Sequence, residues 1–115
     1  MHPLSVGKTY SLRLPDGRAL GHVRVQRLQD WWAEGPFTVA PAFAEFRELF
    51  EREAEMRHQQ IIPLWEEAMD EIEALHIEVI EEGEESAHPH LRIFVEGGEA
   101  ILGAAQSLEA GPAMR

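Results

Sequence analysis

From Phe43 to Leu75 the chain repeats itself at intervals of three and four. Phe43, Phe46, Phe50, Ala54, His58, Ile61, Trp65, Ala68, Ile72 and Leu75 fall on one stripe. A stripe of that period marks an amphipathic helix. Arg47–Glu51, Glu48–Arg52 and Glu53–Arg57 stand four apart, which reads as ion pairs on the wet side of that helix. A straight helix over 42–75 would run about 50 Å. A compact domain of 115 residues is only about 35 Å across. The helix must therefore break or overhang. Pro63 removes a helical hydrogen bond and disfavours helix at Ile62. The expectation is either a break within 58–63 giving two helices, or a kinked helix that overhangs the sheet and docks on a second copy. The stripe keeps its phase through Pro63, which favours the kink.

The segments on either side read as β-structure. In residues 8–28, Tyr10, Leu12 and Leu14 alternate with Thr9, Ser11 and Arg13, the period of a half-buried strand. Pro15-Asp16-Gly17 supplies a turn, and Val23 and Val25 carry the return strand. Residues 29–41 read as a connector holding Trp31-Trp32 and Gly35-Pro36, with a short strand at Phe37-Thr38-Val39. Pro41 suits the first position of a helix. Beyond the helix, Ile77 and Val79 alternate with Glu78, residues 81–86 form an acidic loop, and Gly97-Gly98 joins strands 91–96 and 99–104. That register sets Val95 opposite Ala100, Ile93 opposite Leu102, Leu91 opposite Ala104 and Phe94 opposite Ile101. The predicted fold class is α+β: an N-terminal β-hairpin, a long or broken amphipathic helix, C-terminal antiparallel strands, and the helix packed on one face of the sheet. Residues 1–104 form one domain in this reading and 105–115 a flexible tail.

Composition removes whole classes of function. With no cysteine, disulfide frameworks, thiolate metal sites and cysteine nucleophiles are excluded. No apolar run reaches the roughly 18 residues a membrane span needs, and the first residues lack a signal-peptide layout, so a cytoplasmic protein is expected. The net charge of −11 is concentrated: residues 58–91 hold ten carboxylates and no Lys or Arg. Such a block repels nucleic-acid phosphates and anionic lipid, and attracts basic proteins or cations.

The motifs that might carry chemistry are thin. Gly7-Lys8-Thr9 lacks the upstream glycine and the strand–loop–helix context of a phosphate loop. Glu55-x-x-His58 and Glu73-x-x-His76 match the pairing used by carboxylate-bridged di-metal bundles, with Glu66, Glu67 or Asp70 as further oxygens. Eighteen Glu and six His produce roughly one such match by chance at this chain length. His88-Pro89-His90 sets two imidazoles on one side of an extended chain, a partial zinc or nickel site. Ser5, Ser11, Ser86 and Ser107 have no evident base beside them. No lone acid sits in an apolar run where burial would tune it for proton transfer. These residues argue against an enzyme and assign no cofactor.

The excess of apolar surface points instead to association. Trp31, Trp32, Phe94 and Ile101 are the candidate interface residues, since exposed aromatic anchors dominate interfaces. The leading expectation is a non-enzymatic interaction module, a homodimer or the binder of a basic protein in an inhibitor, immunity or chaperone-like role. A metal-binding carboxylate/histidine protein is the alternative. Weak nucleic-acid contact through Arg13, His22 and Arg24 on the first hairpin is the third reading.

Overall fold

Tyr10, Leu12, Leu20 and Val23 are each no more than 1% exposed, while Arg13, His22 and Arg24 between them face solvent. That alternation builds the first two strands. In the computed structural model, which describes residues 4–29, 32–88 and 91–103, they are β1 (Thr9–Arg13) and β2 (Ala19–Arg24), paired antiparallel. There follow β3 (Arg27–Gln29), β4 (Trp32–Val39), a 3-10 turn (Pro41–Glu45), α1 (Arg47–Gln59), α2 (Ile62–Glu73), β5 (Glu78–Glu81), β6 (Arg92–Glu96) and β7 (Glu99–Gly103). The chain is an α+β fold in which a curled antiparallel sheet runs β5-β1-β2-β4-β7-β6, with β3 beside β4. Ala104, His90 and the expected tail 105–115 lie outside the described residues. Among the described residues no helix is long and apolar enough to cross a membrane.

The stretch read as a connector is the middle of the sheet. β4 pairs with β3 and β7 through its first half and with β2 through its second. Gly35-Pro36 in its centre resembles a strand breaker. The strand accommodates both. A Cβ on Gly35 would stand 1.8 Å from the Arg24 carbonyl oxygen, so only glycine permits this approach. Pro36 is exposed, and the next amide, that of Phe37, donates to the Gly98 carbonyl at 2.9 Å.

The helical stripe breaks fully, which corrects the preference for a kink. Gln60 takes a left-handed conformation (φ 58) and ends α1. Its amide donates to Arg57 O and that of Ile61 to Met56 O, the double bond pattern that closes a helix and turns the chain. Pro63 sits in the first turn of α2, where its missing N–H costs nothing. α2 then folds back along α1, and Arg52 pairs with Glu71 between them. The reversal keeps the longest dimension at 39 Å. The assigned ion pairs are also different. Arg52 reaches Glu71, not Glu48, Arg47 lies over the Phe43 ring, and Glu53–Arg57 is buried.

Two apolar clusters hold the layers together. The larger combines Tyr10, Leu12 and Val23 with Phe43, Phe50, Ile72, Ile93 and Leu102. The smaller combines Trp32, Trp65, Met69 and Phe94, with Met56 and Ile101 packed against it. The β6–β7 register sets Ile93 opposite Leu102 and Val95 opposite Ala100, with Phe94 opposite Ile101. The first two pairs enter the larger cluster and the last enters the smaller one, so this hairpin is covered on both faces.

The β1–β2 turn carries the clearest electrostatic signature. Arg18 donates its backbone amide to Asp16 Oδ1 and its Nε to Oδ2, both at 2.9 Å, and its guanidinium also reaches Glu45 of the 3-10 turn. The backbone bond first, and then the side-chain bond, holds the Asp16 carboxyl below its ordinary range. The same pairings with Asp16 and Glu45 push Arg18 upward. A depressed folded pKa means the turn's contribution is complete above the ordinary carboxylate range and fades as pH falls through the lowered value. An NMR titration of Asp16 should therefore show a midpoint below that of an unpaired aspartate. Arg18→Ala should move it upward, while a variant with an unchanged midpoint would contradict this pairing.

Candidate functional site

Glu53 and Arg57 lie four apart on α1, in line with Phe46 and Phe50 at helical spacing. That ladder turns them inward: Glu53 is 0% exposed and Arg57 2%. A buried pair survives only with its hydrogen bonds met. Arg57 Nε donates to Glu53 Oε2 at 2.8 Å, and its Nη2 donates to Glu53 Oε1 at 3.2 Å and to Glu96 Oε1 on β6 at 3.0 Å. Trp65 Nε1 on α2 donates to Glu53 Oε2 at 2.8 Å. The guanidinium also stacks 5.0 Å above the centre of the Phe94 ring, a further favourable contact for a cation. The remaining Glu96 oxygen meets His58 Nε2. One carboxylate thus joins α1 to α2, and one guanidinium joins both to β6. Sequence reading missed this hub because the spacing of an ion pair does not say which side it faces. The ladder from Phe46 and Phe50 was the available signal.

Trp32 and Phe94, expected at an interface, are 5% and 1% exposed. Their rings meet edge to face at 5.6 Å. Trp32 lies over Gly103, its partner across β4–β7, where a Cβ would come within 2.1 Å of the ring. Ile101 is half-buried against the same cluster. Trp32 and Phe94 are therefore packed inside the chain, Ile101 is partly covered, and Trp31 lies outside the described residues.

The Glu-x-x-His pairs do not act as pairs. His58 turns to Glu96, while Glu55 accepts a bond from Gln59 at 3.1 Å. Glu73 lies 3.1 Å from Arg92 Nε, an ion pair too poorly angled to be a hydrogen bond. His76 follows α2 in a left-handed conformation (φ 53) and is exposed. His58 is near the α1–α2 turn and His76 is beyond the opposite end of α2, so they do not converge. His88 packs edge-on against the Tyr10 ring at 5.5 Å. Among the described residues no three His, Asp or Glu side chains come close enough to hold a metal ion.

Val6, Leu28 and Val39 are exposed singly on the β-sheet side of the chain, whereas three exposed apolar residues come together in sequence at the start of α2 and the turn before it. Ile61, Ile62 and Leu64 are 36%, 41% and 47% exposed. They are followed on the solvent side by Glu66, Glu67 and Asp70, and among the described residues no cation pairs with these three carboxylates. The hub fixes this surface in place, since Trp65 anchors the inward side of α2 through Glu53. At the far end of α2 a cleft of about 490 Å³ opens toward the start of β6, with Ile72, Ile77 and Leu91 on its wall and Asp70, Glu73 and Arg92 at its polar side.

Breaking the hub should be expensive. Arg57→Met leaves the Glu53 charge buried and is expected to cost about 3–5 kcal/mol in urea unfolding. The double variant Glu53→Met/Arg57→Met removes both charges and should recover most of that loss. Equal and small losses in single and double variants would show that the pair is not desolvated. No protein-family model, no curated protein and no solved structure matches this chain.

Proposed function

We propose that this protein is a non-enzymatic interaction module whose working surface is the outward side of α2, and that it binds a basic, amphipathic segment of a partner protein. The observation that carries the reading is the junction of an exposed apolar knuckle, Ile61, Ile62 and Leu64, with the carboxylates Glu66, Glu67 and Asp70. Apolar residues of the partner cover the knuckle, which supplies most of the affinity. Lysines or arginines of the partner meet the carboxylates, which supply orientation and a fast encounter. An inhibitor, immunity or chaperone-like role toward a basic protein in the cytoplasm uses the same surface. A separate basic protein is favoured over a second copy, because the aromatic anchors Trp32 and Phe94 that would have joined two copies are internal.

The test is a titration with a short peptide of alternating lysine and leucine, followed by calorimetry at two ionic strengths. Binding should weaken as the screening length falls from about 10 Å at 0.1 M salt to about 3 Å at 1 M. Ile62→Ser/Leu64→Ser and Glu66→Gln/Glu67→Gln/Asp70→Asn should each weaken it about tenfold or more. The control Glu48→Gln/Glu51→Gln/Glu55→Gln, on exposed positions of α1, removes the same charge and should leave affinity within about twofold. Equal losses in the control and the α2 variants would mean that net charge alone attracts the peptide, and would refute an assigned surface.

A further inference from the structure

The cleft at the end of α2 extends the surface just described. Its volume, about 490 Å³, lies within the range of pockets that take organic ligands, about 300–1,000 Å³. Its wall is aliphatic: Ile72 and Leu91 are buried and Ile77 is half-buried. Its polar side holds two carboxylates, Asp70 and Glu73, against one guanidinium, Arg92, with the imidazole of the exposed His76 also on the lining. The Arg92 charge is already matched by Glu73 at 3.1 Å. Counting His76 as neutral, the two carboxylates outnumber the one guanidinium among the described residues, which disfavours an anion and favours a cation with an apolar body.

Placement on the helix narrows the ligand further. Ile62, Glu66, Asp70 and Glu73 follow one another along α2 at spacings of four, four and three, and so share one side. The twelve residues from Ile62 to Glu73 place their ends about 16 Å apart. A ligand lying along that side meets first an apolar contact, then carboxylates, and last the cleft.

We infer that the cleft receives the side chain of a lysine from the segment bound along α2. The aliphatic stem lies on Ile72, Ile77 and Leu91, and the ammonium meets Asp70 beside the Glu73–Arg92 pair. Lysine suits such a site because its stem buries against apolar surface while its charge stays at the rim. Arginine suits it less, since its planar fork seeks a bidentate carboxylate and Glu73 is engaged by Arg92. The partner's apolar anchor for Ile62 then stands about five residues from this lysine in an extended segment. This inference rests on the proposed binding surface of α2, but it concerns a separate pocket.

The experiment is an NMR titration of the whole protein with Nα-acetyl-lysine methylamide, reading the methyl resonances of Ile72, Ile77 and Leu91. The same titration uses the norleucine analogue, which has the stem without the charge, and the glutamate analogue, which has the opposite charge. The lysine probe should shift those methyls saturably, and the other two should bind at least about fivefold more weakly. Asp70→Asn, at an exposed position, should bring the lysine probe down to the norleucine level. Equal binding of lysine and norleucine, or no saturable shift with lysine, overturns the inference. If that happens while the lysine–leucine peptide still binds and responds to Glu66→Gln/Glu67→Gln, the α2 surface stands and only the cleft is wrong. If the peptide also fails to bind, both fall.

Discussion

A carboxylate with no exposed surface is a severe constraint on a fold. Removing an ion from water costs several kcal/mol even after relaxation, and the cost is met only by a well-placed counter-charge and a full set of hydrogen bonds. Glu53 meets that condition with Arg57 and Trp65, and Arg57 meets it with Glu53 and Glu96. Glu53 and Arg57 share α1, but Trp65 comes from α2 and Glu96 from β6, so the pair is fully satisfied only when all three elements are in place. Apolar contacts alone would tolerate some sliding of α2 over Phe94 and Trp32. A directional network at the same contact leaves one arrangement satisfied, and sliding would strand a buried charge.

The consequence reaches the surface. α2 buries Trp65, Ala68, Met69 and Ile72, and the hub fixes its rotation about its own axis through the indole of Trp65. One exposed side then runs from Ile62 through Glu66 and Asp70 to the cleft, with Leu64 and Glu67 exposed further around the helix. The reversal at Gln60 leaves the knuckle uncovered, because a tight turn carries the chain outward between the two helices. Ile61, Ile62 and Leu64 at this turn are exposed, whereas Trp32 and Trp65 are buried.

Much of the architecture was legible, and the reasons for the rest are physical. Tyr10, Leu12 and Val23 alternate because one face of their strands is buried, and alternation survives in the sequence. Gly97-Gly98 fixes the last hairpin because two successive residues need positive φ (57 and 80). β4 was hidden because Gly35-Pro36 carries the local signature of a break, whereas the demand for glycine there comes from Arg24, a residue eleven positions away. The Pro63 reversal was one of two expected outcomes. The continuous stripe pointed to the wrong one, since a stripe in phase also lets two antiparallel helices share a core. The buried hub was invisible for a similar reason: Glu53–Arg57 has the same spacing as a solvated pair, and only Trp65 and Glu96, distant in sequence, make it internal. The acidic block was legible both as charge and as a helix followed by a short strand and a loop, because periodicity changes from three-and-four to two at Ile77.

The claim on which the account turns is that Glu53 binds the Trp65 indole in a site closed to water. Hydrogen exchange of the Trp65 Nε1 proton, followed by NMR across increasing urea, measures this directly. The account predicts that this proton exchanges only through global unfolding, with the same free energy and the same dependence on urea as the slowest backbone amides. Exchange at the rate of an exposed indole, or through a local opening insensitive to urea, would contradict it.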